Sequence, residues 1–444
     1  MTVATGSIVR YGALGLPLAF VALPLHVQWA NVAASTWALP LGMIGGLLLA
    51  VRALDAVVDP WLGRVMDRVF AAQRAWLVAA FATSLVVAGF ALLFSSPPSF
   101  VRGETDLTIA WAAAALALTY LGYSAAQIVH QAWGARWGGD AAQRARIVAG
   151  REAFALVGVV SATVLPAVMG WPGLSALLAA LAVIALVMLR GVRTPASAAS
   201  TLPATQLAAV ASTSARGTQS PWRLPAFRQL MLVYVISGFA AAVPANLVIF
   251  YIRDRLLASA WEPAFLFAYF AAAALSMPLW TRLAGRYGLV RCWAGSMALA
   301  TASFAGAAWL STGHEWLFLA VCIGSGIALG AELIAPAALL AGVLHRSGAG
   351  YGGEGAWFGW WTFASKFNLA LAAGVALPLV AQLGYTPGGR EASAVQALAL
   401  VYGVLPCVVK LVSLGLLLAL GRELEPPAGS PNHRSTLANE VSSP

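Results

Sequence analysis

The chain has 444 residues, of which 60% are hydrophobic and only 9% are charged, whereas about 25% of the residues in an ordinary soluble domain are charged. Composition therefore predicts a membrane protein and excludes a water-soluble globular one. The net charge of +10 comes from basic residues spread along the whole chain, which favours a topological role and argues against a nucleic-acid-binding surface. Three cysteines, distant from each other and placed in apolar runs, argue against a disulfide framework or a cysteine-based metal site.

Apolar segments long enough to cross a bilayer recur along the chain. A hydrocarbon core about 30 Å thick needs roughly 20 apolar residues per helix. Long Ala, Leu, Val and Gly runs, in place of period-two alternation, exclude a transmembrane β-barrel. Twelve transmembrane helices are predicted, at residues 11–32, 38–62, 75–96, 107–132, 149–170, 172–190, 228–252, 262–281, 290–311, 316–342, 356–384 and 394–420.

The spans fall into two sets of six. Residues 1–190 are predicted to form an N-terminal six-helix bundle and residues 225–424 a C-terminal six-helix bundle. Residues 191–224 are rich in Ser, Thr, Ala and Pro, which predicts a flexible cytoplasmic linker. The polar segment 425–444 is predicted to be a disordered cytoplasmic tail.

The basic residues predict the orientation. Nineteen of them fall on the side of the N-terminus and four on the other side, so the first side is expected to be cytoplasmic. We therefore expect a multi-pass protein of the inner (cytoplasmic) membrane with both termini in the cytoplasm. The apolar stretch after Arg10 is interpreted as a permanent helix, not a cleaved signal. The remaining three cations, Arg52, Lys366 and Lys410, lie inside predicted spans or at their edges.

The two halves share a weak internal repeat. DPWLGRVMDR at 59–68 aligns with MPLWTRLAGR at 277–286, so that Pro60 matches Pro278 and Arg68 matches Arg286 at an offset of 218. Repeated six-helix units around a central cavity are typical of one large group of secondary transporters.

A charged trio occurs in the first half only. Arg52, Asp55 and Asp59 are three and four residues apart, which places them on one face of the second predicted helix. An isolated charge in hydrocarbon costs about 2.5–3.5 kcal/mol, so this face is expected to border a wet cavity. Two interpretations are open: Arg52 neutralises Asp55 structurally, or the two carboxylates form a proton or cation site because their repulsion favours taking up a positive charge.

The stretch RALDAVVDPWLGRVMDR (52–68) resembles the signature of the glycoside–pentoside–hexuronide cation symporters, the melibiose-permease-like branch of the major facilitator superfamily. Similar segments are YGALGLPLA (11–19), GREAFALVG (150–158) and FASKFNLALAAGVALPLVAQLGY (363–385). The resemblance implies an all-α membrane protein with twelve transmembrane helices in two six-helix bundles, working by alternating access.

The resemblance also implies roles for individual residues. Asp55 and Asp59 would bind the coupling cation or proton, together with the hydroxyl of Ser124. Gly63, Asp67 and Arg68 would form the cytoplasmic gate loop. Six side chains would line the substrate cavity, namely Tyr123, Gln127, Arg151, Trp361, Thr362 and Lys366.

The sequence departs from the family where sugar-binding acids are expected. Leu16-Pro17 stands in place of the acid on the first helix, and Gln127 in place of the acid on the fourth. A galactoside substrate is therefore doubtful.

Other readings of three side chains stay open. Lys366 could pair structurally with Glu332, Arg151 could be a positive-inside anchor, and Trp361 could be a packing residue.

The expected function is cation- or proton-coupled symport of a small solute. Protons are favoured over sodium because Val58 stands where sodium-using relatives place an asparagine, which removes one oxygen ligand. A lipid or drug transporter of the same fold is the alternative. A Mg-dependent membrane prenyltransferase is disfavoured because residues 153–253 contain no acid for a second metal-binding cluster. We expect a monomer that is not an enzyme, with no metal or cofactor, the solute and the lipid bilayer as partners, and no nucleic acid.

Overall fold

A computed structural model describes residues 3–37, 39, 41–98, 101, 104–192, 220–347 and 353–425. Within these residues the chain is overwhelmingly helical and forms no β-strand. The α-helices are α1 (Thr5–Gly12), α2 (Gly15–Leu23), α3 (Trp29–Ser35), α4 (Leu41–Ala71), α5 (Ala75–Phe94), α6 (Thr105–Ala135), α7 (Ala141–Val164), α8 (Pro166–Arg190), α9 (Pro225–Phe250), α10 (Glu262–Tyr287), α11 (Leu289–Phe304), α12 (Glu315–Arg346), α13 (Glu354–Gln382) and α14 (Ala392–Leu424).

Each predicted span has a helical counterpart, and two differ clearly from the prediction. The first span is interrupted: a π-helical turn at Pro24–Gln28 separates α2 from α3, because Pro24 has no N–H to continue the hydrogen-bond ladder. The second span continues to Ala71, well beyond the predicted end at residue 62. Hydropathy marks only the apolar part of a helix, and the polar turns that follow still satisfy their backbone by helical bonds.

Nine helical segments of the described residues are long and apolar enough to cross a membrane. Helices α3, α4, α7 and α11 are outside that set; α3 has 7 residues and α11 has 16. The number of twelve membrane crossings therefore stays a prediction.

The helices pack in two groups. Helices α1–α8 pack among themselves, as do α9–α14, and the groups meet where α4 and α6 contact α13 and where α7 contacts α10 and α12. The predicted linker lies mostly outside the described residues, and the tail does so after Glu425. The last residues of the linker, just before α9, include a short 3-10 helix at Pro221–Arg223. The boundaries of the two bundles and the linker therefore stay a prediction.

Three apolar cores show how the groups are joined. One core includes side chains of both groups, such as Met66 and Phe70 with Trp357 and Phe358. The other two belong to one group each, one around Phe90 and Trp29, the other around Tyr251 and Phe318. The shared core lies on the side where most basic residues are found, hereafter the basic side. The two groups are thus packed together on the basic side and have separate cores on the opposite side.

Candidate functional site

Two carboxylates from α4 and one ammonium group from α13 meet between the two groups of helices. Lys366 Nζ lies 2.5 Å from Asp55 Oδ2, and 3.0 and 2.8 Å from the two carboxylate oxygens of Asp59. It also donates to Ser124 Oγ at 2.6 Å, while Ser124 donates its own proton to Asp55 Oδ1 at 2.6 Å. We call Asp55, Asp59, Ser124 and Lys366 the charge cluster.

The charge cluster is buried and carries an uneven charge. The exposed fraction is 3% for Asp55 and 0% for Asp59 and Ser124, and the Lys366 side chain is 23% exposed. With both aspartates ionised, two negative charges face one positive charge. One proton on either carboxylate would therefore make the cluster neutral, and neutrality is favoured where water is excluded.

Asp55 and Asp59 lie side by side, as their spacing predicts, but Lys366 does not have the partner that the sequence offered as an alternative. The predicted alternative of a pair between Lys366 and Glu332 is wrong, because Lys366 faces α4. Glu332 is instead bound by Lys410 of α14, whose Nζ lies 2.8 and 2.9 Å from its two carboxylate oxygens. Glu332 is thus a charge partner, as expected, but of the other lysine of the chain.

Arg52 lies one turn before Asp55 on the same helix. It donates from Nε to the hydroxyl of Tyr120 at 3.2 Å. The carboxylate oxygens of Asp55 are bound by Ser124 and Lys366. The carboxylate of Asp55 is therefore paired with a lysine from the other group of helices. The interpretation that Arg52 neutralises Asp55 stays a prediction.

Polar side chains at the predicted substrate cavity form two hydrogen-bonded sets, one on α6 and one on α7. Gln127 donates to the hydroxyl of Tyr123 at 2.8 Å and accepts from Gln131 at 3.2 Å. Arg151 binds the carboxylate of the adjacent Glu152 through Nε at 2.9 Å and Nη2 at 2.5 Å. Arg151 is thus a buried, paired cation, which argues against a free anchor at a helix end.

The other wall of this region comes from α9 and α13. The ring of Trp361 stacks on Tyr234 with 3.7 Å between the ring centroids, and the Tyr234 hydroxyl shares a hydrogen bond with Ser365 at 2.6 Å. Thr362 is buried and donates to the Phe358 carbonyl of its own helix at 2.9 Å. Its hydroxyl proton is therefore used within the helix, while its oxygen can still accept a hydrogen bond. The role of Thr362 in the cavity stays a prediction.

Two residues of this region were missed by the sequence interpretation. Glu152 interacts electrostatically with both Tyr123 and Tyr234, which come from different groups of helices. The signal was present, since Glu152 is a carboxylate inside the fifth predicted span. Tyr234 had no comparable signal, because one tyrosine among many membrane aromatics does not reveal which neighbour it stacks on.

Residues of the predicted gate loop join the two groups on the basic side. Asp67 of α4 accepts backbone N–H bonds from Gly355 at 2.6 Å and Ala356 at 3.0 Å, so it caps the first turn of α13. Close by, Arg136 binds the buried carboxylate of Glu354 at 2.8 Å. Arg68 is exposed near the end of α4. Gly63, Asp67 and Arg68 are all helical residues of α4, so the prediction that they form a loop is wrong.

Glycines allow α4 and α13 to approach each other here. A Cβ atom on Gly63 would lie 2.2 Å from the Gly355 carbonyl oxygen, and one on Gly359 would lie 2.6 Å from the Asp59 carbonyl oxygen. Both distances are below any ordinary van der Waals contact, so this close backbone packing requires glycine. The same two helices carry the charged side chains of the charge cluster and the contacts of Asp67, and their movement would affect both.

Comparison with known proteins agrees with this architecture. A family model described as "MFS/sugar transport protein" matches residues 11–420. A bacterial homologue of the iron transporter ferroportin, crystallised in an outward-facing state with soaked iron, is 14% identical; the match covers 94% of this chain and 100% of that chain, with a TM-score of 0.68. The fucose:proton symporter of E. coli is also 14% identical, with 92% and 97% coverage and a TM-score of 0.60. No curated protein sequence matches the chain. At this identity the two structures show a common all-α membrane transporter fold.

Proposed function

The chain belongs to the MFS/sugar transport protein family, and we propose that it carries out proton-coupled symport of a small solute by alternating access. The observation that carries this proposal is the charge cluster, in which Lys366 of one group of helices is bound by Asp55 and Asp59 of the other. A cluster with one excess negative charge is suited to taking up one monovalent positive charge. Its position between the groups would couple that uptake to their relative movement.

The arrangement favours a proton over sodium. A sodium ion needs several oxygen ligands, and the oxygens that could supply them, on Asp55, Asp59 and Ser124, are already bound by the ammonium group of Lys366. Sodium would have to displace that tethered cation, whereas a proton needs only one carboxylate oxygen. The apolar side chain of Val58 adds no further ligand.

Protonation would change the link between α4 and α13. With both aspartates ionised, Lys366 is attracted by two carboxylates across the interface; with one protonated, it keeps a single ionic partner. Separation of the helices would then cost less. Net coupling requires that the proton and the solute both bind the same conformational state preferentially.

The cavity residues suggest a neutral, polyhydroxylated solute. The Arg151–Glu152 pair and Gln127 offer both donors and acceptors, and the stacked rings of Trp361 and Tyr234 offer an aromatic face. Hydroxyl groups would satisfy the polar side chains, and the apolar face of a sugar-like ring suits an aromatic surface. Glu152 would supply the carboxylate that is missing where Gln127 stands in place of the family's acid.

The proposal also covers topology, localisation and oligomeric state. We expect an inner-membrane protein with the basic side in the cytoplasm, acting as a monomer with no cofactor. In this orientation the contacts of Asp67 and Glu354 would close the cytoplasmic side, and the solute would enter from outside.

Transport in right-side-out vesicles tests the function. Sugars, organic acids and lysolipids are compared under imposed ion gradients, and the solute found is then followed at fixed pH with and without sodium. We expect accumulation driven by an inward proton gradient, alkalinisation of the medium on addition of solute, and no sodium requirement. Strong sodium stimulation without alkalinisation would overturn proton coupling, and the Val58→Asn variant should then strengthen that stimulation.

A further inference from the structure

A cavity of about 210 Å³ lies within the C-terminal group of helices, apart from the charge cluster. Its lining comes from α9, α10, α11, α12 and α14, and among the described residues none of helices α1–α8 contributes to it. Most of the lining is apolar. The aromatic side chains among it are Phe265, Tyr269, Phe270, Phe304 and Tyr402.

The ion pair of Glu332 and Lys410 borders this cavity. The two side chains differ in the number of hydrogen bonds that they can still form. Lys410 Nζ has three N–H donors, and these are used by the Ser237 carbonyl at 3.2 Å, the Ser237 hydroxyl at 3.1 Å and the Glu332 carboxylate. Lys410 therefore has no donor left for a ligand. A carboxylate has about four acceptor positions, and contacts from Lys410 account for two of those on Glu332.

The exposed fractions of the two side chains agree with this difference. The side chain of Glu332 is 13% exposed and that of Lys410 is 6% exposed. The charged group that can still accept a bond from the cavity is thus a carboxylate. An anionic ligand would find no donor on Lys410, and a wholly apolar ligand would leave the spare acceptors of Glu332 without a partner.

We propose that this cavity is a second binding site, which takes a small organic ammonium ion with a compact apolar body. The ammonium group would donate to Glu332, while Ser237 keeps Lys410 in place. The apolar body would lie among the aromatic side chains. The bound state carries one excess positive charge, and the ring of Tyr269, which lines the cavity and interacts electrostatically with Glu332, is suited to stabilise it.

Binding of 2-phenylethylamine to the purified full-length protein in nanodiscs tests this site. Radiolabelled amine is measured against empty nanodiscs, with unlabelled 2-phenylethanol and phenylacetate as neutral and anionic competitors of similar size. We expect saturable binding that excess amine displaces and neither competitor does. No saturable binding, or displacement by either competitor, would overturn the proposal.

Matched variants locate the binding. Ala300 of α11 lines the cavity, whereas Ala298 of the same helix is exposed and outside the lining. We expect Ala300→Phe to weaken amine binding by about tenfold or more, and Ala298→Phe to leave it unchanged. Equal affinities of the two variants would show that the amine binds elsewhere.

The charge requirement is tested by a neutral pair. Glu332→Gln combined with Lys410→Gln removes both charges at once, so no buried charge is left alone. A charge-assisted hydrogen bond contributes about 1.5–3 kcal/mol, so the folded double variant should bind the amine roughly 10- to 100-fold more weakly. Full affinity in this variant, or loss of binding in Asp59→Asn, would refute the proposed site.

Discussion

Replacing Gly63 by alanine should prevent the basic side from closing. The new Cβ would lie 2.2 Å from the Gly355 carbonyl oxygen, whereas ordinary contact begins at 3.4 Å. The helices must therefore separate by about 1.2 Å, since both atoms belong to backbone-fixed groups. Asp67 accepts from Gly355 and Ala356 at 2.6 and 3.0 Å, and such a separation takes both bonds beyond hydrogen-bonding distance.

The loss of two such bonds costs about 2 kcal/mol or more, which corresponds to roughly a 30-fold shift towards states open on the basic side. Spin labels at Arg64→Cys and Arg286→Cys, exposed positions on α4 and α10, report the separation of the two groups by double electron–electron resonance. The native cysteines are replaced first. We expect a longer distance population in Gly63→Ala.

Gly46→Ala is the matched control for this experiment. Gly46 lies in the same helix, and a Cβ there would meet no atom within 4 Å. The control should keep the distance distribution of the parent protein. An unchanged distribution in Gly63→Ala as well would refute the idea that glycine packing sets the closed state.

Two further predictions concern the buried charges. The Asp59→Asn variant should insert and fold, because asparagine can still bind Lys366, yet it should lose accumulation of the solute against a gradient. Uphill transport at the parent rate by well-expressed protein would remove Asp59 from the coupling site. Asp55→Asn is tested in the same way. Glu332→Gln leaves Lys410 as an uncompensated buried cation, which should cost about 3–5 kcal/mol of stability and lower the thermal midpoint in detergent. Adding Lys410→Gln should restore most of that loss, whereas adding Lys366→Gln should not; equal rescue by both lysine changes would contradict the pairing in the structure.

The sequence predicted the fold and one half of the candidate site. Helices longer than the bilayer follow from apolar composition, and the three- and four-residue spacing of Arg52, Asp55 and Asp59 is a local property of one helix. The interruption between α2 and α3 was missed because apolar residues continue through Pro24. Apolar composition alone does not distinguish a straight helix from a broken one.

The partner of the aspartates could not be derived from spacing. Lys366 is 311 and 307 residues away from Asp55 and Asp59, and the chain has a second buried lysine with an equal need for a carboxylate. The choice between Lys366 and Lys410 depends on which helices face each other across the two groups. That information lies in the packing of α13 on α4, where Gly63, Gly355 and Gly359 allow close approach.

The two lysines of the chain have different consequences for alternating access. Lys410 and Glu332 both belong to the C-terminal group, so relative movement of the two groups can leave their bond intact. Lys366 belongs to α13 and its carboxylates to α4, so any movement that separates these helices must break its bonds. Of the two pairs, the one at Lys366 therefore contributes to the energy difference between the open and closed states. A proton taken up at Asp55 or Asp59 would change that difference directly, which is the reason to place coupling there and a separate ligand at Glu332.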